Sequence, residues 1–107
     1  MRPPYDKIEG GGDWLLDGAT LVIRGSGDNL DDPETLLVAI HELIEATLCR
    51  ARGVTQQAVD AFDAAYEGDG EPGDDPASPY RREHRFAMIV EMMLAHELGL
   101  DGYGEMR

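Results

Sequence analysis

Leu36-Leu37-Val38-Ala39-Ile40-His41-Glu42-Leu43-Ile44-Glu45-Ala46-Thr47-Leu48-Cys49 is the stretch that decides how this chain folds. It is apolar around most of a helix circumference and is interrupted only near its middle, by His41, Glu42 and Glu45. A surface that broad needs more than one neighbour to cover it, so this helix is predicted to be central, with Leu43 in its core. At ~100° per residue, His41 and Glu45 stand one turn apart on one face and Glu42 one step to the side, so the three share about a 100° arc.

The flanks set the helix limits. Asp32 offers a capping carboxylate and Pro33 suits the first helical position, while Gly53 supplies a stop; the expected helix is 33–52. Upstream, Trp14 to Arg24 reads as two short strands about Asp17-Gly18, a pair that tolerates the positive φ of a tight hairpin turn. Alternation in the second strand turns Leu21 and Ile23 inward, and a lone hairpin is marginal in water, so it should pack on a helix.

Downstream, Thr55 can cap a second helix over roughly 56–67, with Val59, Phe62 and Tyr66 on its apolar side. Residues 68–79 are rich in Gly, Pro and Asp without apolar periodicity, which predicts an exposed acidic loop. Its acids Asp69, Glu71, Asp74 and Asp75 do not follow the EF-hand spacing, which argues against a calcium loop. Ser78 and Pro79 open a third helix reaching Leu98, with Phe86, Ile89, Val90, Met93 and Leu94 as its core stripe. The fold class is therefore α+β, a short N-terminal β-hairpin packed on a three-helix core around a central apolar helix. At 107 residues the whole chain fits a single domain, with 1–12 as a flexible N-terminus.

Charge narrows the partners. Asp and Glu number 22 against 9 Lys and Arg, for a net charge of -13, which disfavours nucleic acid and anionic membranes and suits cations, a basic protein partner, or mimicry of DNA phosphates towards a nucleic-acid-binding protein. The longest apolar run, 36–40, falls far short of the ~20 residues of a spanning helix. Cys49 is the only cysteine and the first residues lack a secretory apolar run, which places the chain in the cytoplasm.

Spacing of i and i+4 lets the imidazole of His41 and the carboxylate of Glu45 converge on one divalent ion, as the two histidines of His-Glu-x-x-His do for zinc. Glu42, beside them, can then act as general base toward a water. The competing reading is a solvated polar stripe, since Glu34 and Arg52 fall on the same face; against it, the middle of that stripe carries Val38 and Cys49 and no Lys or Arg. A third ligand is expected from the third helix, and His84 is preferred over Glu91, with Asp63 and Asp60 weaker. Glu91 lies about 10.5 Å along the axis from His84, suited to support a ligand rather than to share its ion. Mixed nitrogen and oxygen donors suit zinc, with manganese or iron as alternatives, better than calcium. Cys49 reads as a small buried apolar residue.

His41-Glu42-Leu43-Ile44-Glu45-Ala46, Leu48-Cys49, Val59-Asp60-Ala61-Phe62-Asp63, Pro72-Gly73-Asp74-Asp75-Pro76 and the segment from Tyr80 to His84 together resemble a group of small uncharacterised proteins encoded in bacteriophage and prophage regions. That resemblance implies a phage origin and a bacterial host cytoplasm. The layout, a small sheet, a His-Glu helix and a later ligand-bearing helix, is also similar to a minimal zincin metallopeptidase, with Glu45 where the second histidine would stand. That likeness implies a metal-dependent hydrolase with Glu42 as base and a protein or peptide as substrate. Glu42-x-x-Glu45 followed by Asp60-x-x-Asp63 resembles, more faintly, the acidic motifs of magnesium-dependent nucleotide pyrophosphohydrolases. The non-enzyme alternative is an acidic phage protein that blocks a basic surface of a host protein.

Overall fold

The computed structural model describes residues 12–17, 20–25, 32–100 and 102–103. Strands β1 (Gly12–Asp17) and β2 (Thr20–Gly25) pair antiparallel, with Trp14 opposite Ile23 and Leu16 opposite Leu21. Helices α1 (Pro33–Ala51), α2 (Gln56–Ala65) and α3 (Arg81–Glu97) follow, with a 3-10 turn at Pro72–Asp74. This is the expected hairpin on three helices. Residues 18 and 19 of the hairpin turn and nearly all of the expected flexible N-terminus lie outside the described residues; Gly12 itself begins β1.

The caps explain the helix limits. Asp32 accepts from the Glu34 amide (3.2 Å) with Pro33 in the first turn, and Gly53, at φ 76, leaves α1 in a left-handed conformation that suits glycine. Thr55 accepts from the Ala58 amide (3.1 Å) to start α2. That helix stops at Ala65, two residues short of expectation, because Tyr66 turns to an extended backbone (ψ 130) and brings its ring near Phe62. The third helix begins at Arg81 rather than at Ser78, whose hydroxyl accepts from the Tyr80 amide within a preceding turn.

α1 packs against both the hairpin and α3, as a broad apolar surface requires. Two apolar clusters hold it. Trp14, Ala46, Cys49, Val59 and Tyr80 form one, joined by Leu21 and Ile23 from β2, and Leu37, Ala95 and Tyr103 form the other. Along α1, the second cluster precedes His41 and the first follows Glu45, so the polar residues occupy the gap between them.

Three expectations of burial differ from what is observed. Leu43 is 48% exposed, because the polar arc of α1 is the side turned inward and Leu43 lies about 200° around from His41. On α3 the inversion is more complete: Glu83, His84, Ala87, Glu91 and Ala95 are buried, while Phe86 (50%), Ile89 (55%) and Met93 (64%) from the expected core stripe face outward. Val90 and Leu94 are half-buried. The loop at 68–79 is also only partly exposed; its 3-10 turn lies over His84 with Gly73 buried against the imidazole. Among the described residues, no helix is long and apolar enough to cross a membrane.

Candidate metal centre

Helix α1 delivers His41, Glu42 and Glu45 to the interior, and α3, running antiparallel, delivers His84 and Glu91; all five are buried. The solvated-stripe reading of the α1 acids is thereby overturned. His41 Nε2, His84 Nδ1 and Glu45 Oε2 face one another, with separations of 3.2 Å between the two nitrogens, 3.1 Å from His41 to the carboxylate and 2.9 Å from His84 to it. These three atoms form a compact triangle. Ligands at about 2.0–2.1 Å from a tetrahedral zinc would stand about 3.3 Å apart, so the donors are close to the spacing an ion would impose. Glu42 Oε2 lies 3.8 Å from His41 Nε2, beside the triangle rather than in it.

Each donor is held from behind. His41 Nδ1 lies 2.7 Å from Glu91 Oε1, and Glu91, fully buried, accepts from the Tyr103 hydroxyl at its other oxygen (2.6 Å). Glu45 Oε1 accepts from the Trp14 indole N–H (3.3 Å), which leaves Oε2 to the triangle. His84 Nε2 lies 3.1 Å from Glu71 Oε2 and 3.2 Å from Asp74 Oδ1, ion-pair distances to two carboxylates of the loop, though without hydrogen-bond geometry. Both imidazoles thus direct one nitrogen inward and the other toward carboxylate, the arrangement that fixes metal-binding histidines.

Two imidazole nitrogens that face each other at 3.2 Å cannot both carry protons comfortably, and the surrounding charge makes them basic. Burial pulls the His41 pKa down, but the bonds to Glu45 and Glu91 and the charge of Glu42 outweigh it and raise it to about 9. His84 goes to about 10 by the same balance of burial against Glu45 and Glu71. Burial likewise opposes ionisation of Glu45, but its bonds to His41 and His84 hold its pKa below the ordinary carboxylate value. A divalent ion between the two nitrogens would take the place of the protons crowded there, so its uptake would release protons.

His41, Glu45 and His84, the three expected ligands, are brought together, and Glu42 is placed next to them. Glu91 supports His41, as its distance along α3 suggested. Asp63 is elsewhere, accepting from the Tyr80 hydroxyl at 2.6 Å, and neither it nor Asp60 joins a donor group among the described residues. Cys49 is buried, and burial with the charges of Glu45 and Glu83 pushes its thiol up to about 12, so it stays a neutral thiol. Sequence reasoning missed Trp14, Tyr103, Glu71, Gly73 and Asp74. Only Glu71 and Asp74 around Gly73 leave a legible trace in the sequence, as acids of a loop. Glu71, Asp74 and His84 Nε2 form a second, more exposed group of donor atoms. No protein-family model, curated protein or solved structure matches the chain.

Proposed function

We propose that this protein binds one divalent transition metal, zinc by preference with manganese or iron as alternatives, through His41 Nε2, His84 Nδ1 and Glu45 Oε2. The observation that carries the reading is the convergence of these three buried atoms within 3.2 Å of one another, each side chain backed by a further polar partner. A bound ion would supply Lewis acidity at this point. Glu42, 3.8 Å from His41 Nε2, is placed to accept a proton from a water there, which supports a zincin-like metal-dependent hydrolase acting on a protein or peptide. The resemblance to phage-encoded proteins and the single buried cysteine fit the cytoplasm of a bacterial host.

Burial of Glu42 along with the three ligands favours a second reading, in which Glu42 closes the site as a fourth ligand and the metal is structural. Glu42→Gln separates the two. As a base, Glu42 is dispensable for metal binding, so the variant keeps its metal and loses hydrolysis of a peptide library. As a ligand, its loss lowers both metal content and thermal stability. Retention of full hydrolytic activity by Glu42→Gln would remove it from the chemistry altogether.

A further inference from the structure

Helix α3 is built inside out. Its buried side carries Glu83, His84 and Glu91, which the polar centre absorbs, while Phe86, Ile89 and Met93 stand at least half exposed on the opposite side. Their spacing of three and four residues extends in both directions to exposed Arg82 and His96, giving a continuous 4-3-4-3 seam along the helix. At ~100° per residue, Arg82, Arg85, Phe86, Ile89, Met93 and Glu97 all fall within about a 120° arc. No described residue covers it.

From this face we infer that the protein pairs with a second copy of itself through antiparallel α3 helices. The pattern is self-complementary. A two-fold axis between Ile89 and Val90 sets Phe86 of each copy opposite Met93 of the other, Ile89 beside its own symmetry mate, and Arg82 opposite Glu97. The cationic end of one seam thus meets the acidic end of the other, and the two helix dipoles run antiparallel. Charge points to the same occupant. In a chain of net charge -13, Arg81, Arg82 and Arg85 line one cleft of about 890 Å³ at the start of α3 with Phe86 and Ile89, beside an Arg52 that pairs with Glu83 at 3.1 Å. The buried Nε of Arg81 has no hydrogen-bond partner there. A partner for this end must be acidic, with apolar residues at helical spacing, and the far half of the same helix offers Met93 and Glu97.

Light scattering after size exclusion and analytical ultracentrifugation of the full chain test this. The expected mass is twice the 11.7 kDa of one chain. Ile89→Asp, at an exposed position, should keep the native circular dichroism and melting behaviour and weaken association about tenfold or more. Arg82→Glu and Glu97→Arg should each weaken the dimer, and the double variant should restore it, because each substituted residue then meets its complement on the other copy. A single-chain mass across micromolar concentrations overturns the inference. So does a dimer that Ile89→Asp leaves intact, or charge variants that do not rescue one another, since these would place the interface elsewhere or run the helices in parallel.

Discussion

Replacing Gly73 by alanine tests whether the 3-10 turn positions His84 or merely lies near it. A Cβ at Gly73 would stand 2.5 Å from His84 Cγ and 2.7 Å from Nδ1, the nitrogen of the donor triangle. Ordinary carbon contacts begin near 3.5 Å, so the ring or the turn must give by about 1 Å. The φ of Gly73 is not positive, so alanine brings no backbone strain and the effect is steric. A ligand set tolerates displacements of about 0.5 Å, and losing the support behind a ligand typically costs about 10–100-fold in metal affinity. Gly73→Ala should weaken zinc binding by at least that factor, about 1.4–2.7 kcal/mol. The assay is competition with a chromophoric chelator, beside thermal melts with and without zinc. Gly68→Ala is the control: its Cβ also meets a side chain, but the far end of half-buried Tyr66, which can swing away, so zinc affinity should hold. Wild-type affinity in Gly73→Ala, or equal losses in both variants, would refute the reasoning that the turn fixes His84.

Core position and pH give two further tests. Leu37→Ala, fully buried, should cost about 2–5 kcal/mol in denaturant unfolding, whereas Leu43→Ala, 48% exposed, should cost well under half of that; equal losses would contradict the orientation of α1. In the chelated protein, His41 and His84 titrate at about 9 and about 10, above an unfolded value of 6.5. Their contribution to stability is therefore complete below about pH 6.5 and lost as pH rises through 9 and 10. Melting temperature without metal should fall from pH 6.5 to pH 9, while zinc affinity should rise over the same range because uptake competes with protons for the imidazoles. A metal-free melting temperature that rises with pH would contradict this.

The helices, their caps and the hairpin were legible because each rests on local chemistry: Asp32 and Pro33, Gly53, Thr55, and the alternation of Leu21 and Ile23. The convergence of His41, Glu45 and His84 was legible to the same degree, since i, i+4 spacing on one helix is a local property, and His84 was the best-placed histidine on the other helix. What escaped was tertiary. Apolar periodicity aims Phe86, Ile89 and Met93 at a core, but α3 must turn Glu91 and His84 inward to meet His41 and Glu45, and one helix cannot bury both faces against one neighbour. Leu43 was misjudged for the same reason on α1. Trp14 and Tyr103 support their carboxylates from 31 and 12 residues away in sequence, and no local pattern announces a contact of that kind.

The central claim is that His41, Glu45 and His84 hold one divalent ion. Anomalous diffraction at the zinc edge, from crystals of the zinc-loaded full chain, tests it most directly. A single strong peak about 2.0–2.1 Å from His41 Nε2, His84 Nδ1 and Glu45 Oε2, lost in His41→Ala, is the predicted result. A peak between Glu71, Asp74 and His84 Nε2 instead, or zinc-treated crystals with no peak at the triangle, would contradict it.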